Sequence, residues 1–292
     1  MHEIRRIQRL RSILFAPAVR PDFIAKLPER GADAVVIDCE DATPSGAKSE
    51  ARSVVQSSVP GILGPQMQVF VRVNSVASPY FEADIAEGLV EGLAGIAVPK
   101  LESVAQIETV AEALCQAGFP ELGVLAGIET ALGVADARPL LAHPRIIAGY
   151  FGAEDFIADM GGVRTRDGEE VAFARSSVAL AARLSGVPIV DQIVADFRDD
   201  DRFREEAAAA RAMGYQGKLC IHPRQAEIAN DAFIPSPEEV EHAIRLLAAY
   251  DEASASGIAA IDFEGQMVDE PLAAQARRVL GLAQSISEPT SP

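Results

Sequence analysis

The stretch Ile146-Ile147-Ala148-Gly149-Tyr150-Phe151-Gly152-Ala153-Glu154-Asp155 decides how the chain is read. An apolar run passes into small residues and stops at two adjacent acids. A buried parallel strand that delivers a carboxylate to the rim of its sheet has this signature, because it stays apolar on both faces until it leaves the core. The run from Gly123 to Ile128 repeats the pattern and ends at Glu129. Glu129 and Asp155 therefore read as two hard oxygen ligands at neighbouring strand ends. Mg²⁺ takes one or two protein carboxylates and fills its other positions with water and substrate oxygens, so it is the ion this pair suits. The competing reading makes both acids helix caps. Capping explains an Asp better than a Glu, and the acids around the pair would repel one another without a cation.

Outward from this pair, eight short apolar runs can be marked, at 12–17, 34–40, 68–74, 95–100, 123–129, 147–155, 188–193 and 218–223. Segments of helical length separate them. In 103–117, Val104, Ile107, Val110, Ala111 and Leu114 recur at helical spacing. Strand alternating with helix predicts a parallel sheet with right-handed crossovers. Eight such units match the usual size of a closed (β/α)₈ barrel, about 250 residues. The predicted architecture is α/β: a TIM barrel over residues 1–232 and a C-terminal helical extension over 233–292. Within the extension, 230–237 reads as loop, 238–255 as helix, 257–268 as extended or irregular and 271–285 as a last helix, with an unstructured tail at 286–292.

The run ends carry the chemistry. They are Phe15-Ala16-Pro17, Asp38-Cys39-Glu40-Asp41, Arg72-Val73-Asn74, Pro99-Lys100, Glu129, Asp155, Asp191-Gln192 and His222. In this fold the active site lies at the C-terminal strand ends, so polar groups collected there point to an enzyme. Side chains alternate along a strand, which puts Asp38 with Glu40 on one face and Arg72 with Asn74 on one face. An arginine inside a barrel is costly unless paired. Arg72 would either neutralise the neighbouring acids or grip an anionic substrate, for which a guanidinium is well shaped. Its place at the open rim favours the substrate role.

Composition excludes other classes. The chain has 292 residues, 49% of them hydrophobic, and a net charge of −17. That charge argues against nucleic acid or an anionic membrane as main partner, and no apolar run approaches the ~20 residues of a membrane span. Residues 1–11 carry four arginines but no apolar signal segment. They are compatible with a mitochondrial presequence, but they run straight into a strand and read as an ordinary surface N-terminus. Cys39, Cys115 and Cys220 lack metal-ligand spacing and cannot all pair, which fits a reducing cytoplasm. Cys39 and Cys220 read as small buried hydrophobes. Ser45-Gly46-Ala47-Lys48-Ser49 only superficially resembles a phosphate-binding loop, since it lacks the first glycine.

Seven motifs in register give a resemblance. They are Arg11 to Pro17, Asp38-Cys39-Glu40-Asp41-Ala42, Val71-Arg72-Val73-Asn74, Pro99-Lys100, Ile128-Glu129-Thr130, Phe151-Gly152-Ala153-Glu154-Asp155 and Ile221-His222-Pro223. Together they resemble the citrate lyase β-subunit-like proteins of the HpcH/HpaI aldolase superfamily, relatives of the malyl-CoA and citramalyl-CoA lyases. The resemblance runs from about Arg11 to Leu280. It implies a Mg²⁺-dependent barrel that makes or breaks a C–C bond between a 2-oxo acid and the acetyl or propionyl unit of a thioester. By matching motif, Glu129 and Asp155 would be the metal ligands, and Arg72 would hold the oxo-acid oxygen or the thioester enolate. Glu40 and Asp41 would act on metal-bound water. Phe15, Arg20 and Lys26 would lie along the CoA path, with the two cations near its phosphates. Ile221 and Pro223 would flank the pantetheine arm, leaving His222 a positional role.

Met267-Val268-Asp269-Glu270-Pro271 resembles the family's motif in which an aspartate caps a neighbouring subunit's barrel. Asp269 would then be the general acid/base in trans, and the protein a homo-oligomer, a trimer or a pair of trimers. Read without the resemblance, Asp269 is an N-cap two residues before Pro271. The function expected is cleavage of a 3-hydroxyacyl-CoA into acetyl-CoA and a 2-oxo acid. The alternatives are a citrate lyase β subunit working on a carrier-protein thioester, a malyl-CoA thioesterase, and a CoA-binding homologue without turnover.

Overall fold

A computed structural model of the chain describes residues 9–64 and 67–287, together with Ile4 and Ile7. Eight parallel strands close into a barrel in sequence order: β1 (Ser12–Pro17), β2 (Ala34–Asp38), β3 (Gln68–Arg72), β4 (Gly95–Val98), β5 (Gly123–Ile128), β6 (Ile146–Phe151), β7 (Ile189–Asp191) and β8 (Gly217–Cys220). β8 pairs back onto β1, with Ile13 opposite Leu219, so the sheet has no edge. The (β/α)₈ barrel read from the sequence is the fold.

The strands are apolar on both faces because they separate two cores. Val35, Ile37, Val69, Val71, Ile96 and Val98 face the helices. Ile13, Ala34, Val36, Phe70, Leu125, Tyr150, Val190 and Leu219 fill the barrel interior, with Leu10 among them. Asp38 and Arg72 continue the inward-facing series of β2 and β3 and meet directly in register.

Several boundaries differ from the sequence reading, each for a local reason. β6 stops at Phe151, and Asp155 sits in the first turn of the helix Ala153–Asp159 rather than at a strand end. Acids are favoured in a first helical turn, which is positive, so the run of apolar residues passes into a helix without a break in hydrophobicity. β8 stops at Cys220, and His222 is the N-cap of the helix Pro223–Ala232, its Nδ1 accepting from the Arg224 amide at 3.2 Å. That helix extends to Ala232, across the start of the predicted loop. Asn74 leaves the face of Arg72: its side-chain amide donates to Asp84 at 2.6 Å and to the Cys39 carbonyl at 3.1 Å. Lys48, in the segment that resembles a phosphate loop, is buried and donates to the carbonyls of Cys39 and Glu40 at 2.8 and 2.7 Å. It secures the end of β2.

The chain divides into two compact units, one extending to Phe233 and one beginning at Ile234. The second unit opens with the helix Pro237–Ala255, started by a capping box in which Ser236 and Glu239 each accept the other's amide. A hairpin follows, Ile261–Phe263 with Gln266–Val268, where the sequence suggested irregular structure. The helix Glu270–Ser287 completes the unit, packing with Ala243, Leu246, Tyr250 and Val268 around Ala273 and Ala276. Of the predicted tail, 286–287 are helical and 288–292 lie outside the described residues, as do Arg5 and Arg6. No helix among the described residues is long and apolar enough to cross a membrane.

Candidate active site

A cavity of about 470 Å³ opens at the C-terminal end of the barrel. Phe15, Asp38, Asp41, Arg72, Glu129, Tyr150, Gly152, Glu154, Asp155, Ile193, Leu219 and Ile221 are among its lining residues. Acids from β2, β5 and the helix after β6 thus converge on one space.

Arg72 is the hub. Its Nε and Nη2 donate to the two oxygens of Asp38 at 2.7 and 2.6 Å, a bidentate pair, and its Nη1 lies 3.1 Å from Glu40 Oε2. Burial opposes the charge of Asp38, but the Arg72 charge and hydrogen bonds outweigh it and hold the carboxyl below its usual range. Glu40 goes the other way, because burial outweighs the Arg72 and Lys100 charges beside it. The guanidinium also lies 5.2 Å from the Phe15 ring centroid. Arg72 thus neutralises acids, as the alternative reading had it, and also faces the cavity.

Lys100 is the second cation. Its Nζ sits 2.6 Å from Glu40, 3.3 Å from Asp155 and 3.7 Å from Asp41. Its backbone is left-handed, φ 53°, and its amide donates to Glu129 Oε1 at 3.0 Å. The unusual conformation, uncommon for a residue with a side chain, lets one residue serve two acids. The sequence reading named Lys100 as a strand end and within one of the seven motifs, and gave it no role of its own.

Glu129 is 2% exposed, and burial pushes its carboxyl up to about 8, with Asp155 and Glu40 reinforcing the rise and Arg72 and Lys100 opposing it. A carboxylate held in such a place gains from a nearby cation. Its room is made by Gly152, where any Cβ would run into the Glu129 side chain. Two cations, Arg72 and Lys100, face five acids: Asp38, Glu40, Asp41, Glu129 and Asp155. The donor set, two hard carboxylates beside a cavity open to water, suits Mg²⁺. Among the described residues no cluster of three or more His, Cys, Asp or Glu side chains offers a denser metal cage.

Tyr150 was missed as a functional candidate. It is 1% exposed, its ring stands edge-on to Phe15 at 6.5 Å, and its hydroxyl is sealed from water beside Arg72 and Glu129. A Cβ on Gly127 would stand 2.5 Å from the hydroxyl oxygen. Its inward direction was legible from the alternation Ala148, Tyr150; its contact with the charged cluster was not. Glu154 also lines the cavity, held by Arg164 Nε at 3.0 Å.

The other expected residues of the barrel unit are not held in this charge cluster. Arg20 is exposed, pairs with Asp22 at 2.9 and 2.8 Å and stacks over Phe23. Lys26 is exposed on the same β1–β2 connection, and neither cation lines the cavity. Ile221 lines the cavity and is 40% exposed; Pro223 is the first residue of its helix and does not line the cavity. His222 stacks on Phe197 with centroids 5.3 Å apart. Asp269 belongs to the second unit, where its carbonyl accepts the Leu272 and Ala273 amides at the helix start.

Asp191 does not reach the rim. With Lys218 it faces the helix layer, both fully buried, and it accepts from Arg175 at 3.0 and 2.8 Å and from Lys218 at 2.9 Å. Glu206 takes Lys218 at 3.3 Å and Arg202 at 2.9 Å. This is a structural ion network behind the barrel wall.

The model of the HpcH/HpaI aldolase/citrate lyase family matches residues 11–223. A citrate lyase subunit beta-like protein of Deinococcus radiodurans is 48% identical over 93% of this chain and 96% of its own. The mitochondrial citramalyl-CoA lyase of Rattus norvegicus is 31% identical over 95% of this chain and 87% of its own. The crystal structure of CitE from Mycobacterium tuberculosis in complex with magnesium, acetoacetate and coenzyme A superposes with a TM-score of 0.82 at 33% identity, covering 96% of this chain and 100% of that one. The matched span takes in all eight barrel strands and all seven motifs, and the chain belongs to the HpcH/HpaI aldolase/citrate lyase family.

Proposed function

We propose that the protein is a Mg²⁺-dependent carbon–carbon lyase that reversibly cleaves a 3-hydroxyacyl-CoA of the malyl-CoA or citramalyl-CoA type into acetyl-CoA and a 2-oxo acid. The observation that carries the reading is the acid excess around Glu129 in a cavity that also presents Arg72. An anionic substrate enters such a pocket only with a cation. The citramalyl-CoA lyase relative and the CitE complex with magnesium and coenzyme A support it.

Glu129 and Asp155 would hold Mg²⁺, which when bound supplies Lewis-acid polarisation of the keto or hydroxyl oxygen. Arg72, kept in one orientation by Asp38, still has N–H groups free of Asp38 and Glu40. Aimed into the cavity, they stabilise negative charge on the oxo-acid oxygen or the thioester enolate. Glu40 and Asp41, held beside Arg72 and Lys100, would orient water in the cavity. In cleavage a base removes the hydroxyl proton, the C–C bond breaks, its electron pair passes into the thioester enolate, and a proton returns to that carbon. Asp269 of a neighbouring copy is the proton carrier in this reading, which makes the enzyme a trimer or a hexamer. Phe15 and Ile221 line the thioester path with Pro223 beside it. Arg20 and Lys26 meet the CoA phosphates once Arg20 exchanges Asp22 for them. A cytoplasmic setting accords with three unpaired cysteines, two of them buried.

The test is to incubate the purified chain with malyl-CoA, citramalyl-CoA and citryl-CoA, with and without Mg²⁺, and to follow acetyl-CoA and 2-oxo acid. Mg²⁺-dependent release of both products is expected. Free CoA with an intact hydroxy acid would make it a thioesterase. Silence on all three would overturn the reading in favour of a carrier-protein substrate or a role without turnover.

A further inference from the structure

The helix Glu169–Ser185 buries Val171, Ala174, Val178 and Ala182 in the barrel unit and turns a second apolar stripe to water. Phe173, Leu180 and Leu184 are 84, 61 and 60% exposed. With Ser177 they recur at intervals of four, three and four residues, the spacing of a seam between two packed helices. Ala172, Ser176 and Arg183 are the exposed residues beside them. No acid occurs from 171 to 185, in a chain with a net charge of −17. Exposed aromatic and aliphatic side chains on ground depleted of charge mark the core of an interface. The serines add no polar demand there. Ser177 donates to the Phe173 carbonyl at 2.8 Å, and Ser176 donates to Met213 Sδ at 3.8 Å.

The charges at the helix ends select the occupant. Glu169 and Glu170 open the helix and Arg183 stands in its last turn. Arg183 is exposed and makes no ion pair within the chain among the described residues. A second copy of the helix, laid antiparallel about a two-fold axis between Ser176 and Ser177, brings Phe173 against Leu180 of that copy. The same axis brings Arg183 beside Glu169 of the second copy, and each contact occurs twice. A parallel copy would set acid on acid and arginine on arginine. Small side chains at the crossing let the two backbones approach closely.

We propose that this stripe is an interface between two copies of the protein, formed by antiparallel pairing of the helix Glu169–Ser185 about a two-fold axis. The inference goes beyond the lyase reading and does not need it. Joined to the trimer of that reading, the contact makes a hexamer; alone, it makes a dimer. None of its residues lines the cavity, so turnover per chain is independent of it.

The experiment reads the mass of the full-length protein by sedimentation velocity over a wide concentration range. An even-numbered assembly is expected. Leu180→Glu enters the contact twice and weakens it roughly 100-fold or more, which halves the mass and leaves the activity per chain unchanged. Arg183→Glu weakens it roughly 3- to 30-fold at low salt, and Glu169→Arg added to it restores the affinity. Ser177→Cys in a Cys115→Ser background, with Cys39 and Cys220 buried, gives a disulfide-linked pair under copper–phenanthroline oxidation. A monomer at every concentration, or any assembly whose mass survives Leu180→Glu, overturns the inference. A mass that falls in Leu180→Glu without the Ser177 cross-link or the charge-swap rescue also overturns it, and assigns the stripe to a different surface of a neighbouring copy. The lyase reading is untouched by each of these results, because it stands on the cleavage assay.

Discussion

Two charge clusters lie on opposite sides of the same barrel wall. Outside it, Asp191 and Glu206 are met by Arg175, Arg202 and Lys218. Cations at least match acids, and the central pair is sealed from water. Inside the rim, five acids meet two cations beside an open cavity. The outer cluster is complete as the chain folds. The inner one is short of positive charge, which is the condition for holding a metal ion and an anionic substrate. Buried charge alone therefore does not mark a site in this protein. Unbalanced charge next to open volume does.

The largest effects separate the clusters by kind. Glu129→Gln and Asp155→Asn are expected to lower kcat at least 10³-fold and to abolish Mg²⁺ binding in calorimetry, while the fold survives denaturant as well as wild type does. Asp191→Asn should do the reverse. It leaves Arg175 without its carboxylate partner and Lys218 with Glu206 alone behind the wall, and costs about 3–5 kcal/mol in urea unfolding, with kcat per folded molecule close to normal. If Asp191→Asn removed activity without loss of stability, the outer cluster would have to be counted as part of the site.

A smaller effect sharpens the role of Lys100. Its ammonium stands among Glu40, Asp41 and Asp155 and repels an incoming cation. Lys100→Met is expected to tighten Mg²⁺ roughly 3- to 10-fold at low salt, less at high salt. Weaker binding would show instead that Lys100 holds the acids in place for the metal.

The smallest effect is on pH. In the metal-free protein Glu129 is raised to about 8, against about 4.3 in an unfolded chain. The folded state then holds a proton that the unfolded state releases. Its contribution is whole below about pH 4.3 and is lost as pH rises to about 8. Between pH 5 and pH 9 the metal-free melting temperature should fall, and Glu129→Gln should flatten the fall. Equal slopes in both proteins would mean that Glu129 is ionised without metal.

The barrel and most of the inner cluster were legible because both leave one-dimensional traces. Eight apolar runs with helical spacers mark a closed parallel sheet, and Asp38, Arg72 and Glu129 come where those runs end. Alternation then places Asp38 and Arg72 on one face. What escaped depends on features with no local trace. Asp155 moved from strand to helix because a first helical turn and a strand end both accept an acid after an apolar run. Asp191 lies one position off the inward series of Val190, and a single step along a strand exchanges rim for helix layer. Its partner Arg175 lies on a helix 16 residues earlier. The left-handed backbone of Lys100 belongs to no residue type that announces it.

The pairing of Gly127 with Tyr150 has a consequence for how this pocket can be altered. A methyl group added on β5 has nowhere to go except against the phenol of β6, so neither position varies freely. A change of cavity depth by mutation, natural or designed, has to travel as a pair across adjacent strands: a side chain gained at 127 together with one shortened at 150. The single substitutions are a clash or a void, and a library that explores one position at a time will miss the compensated pair.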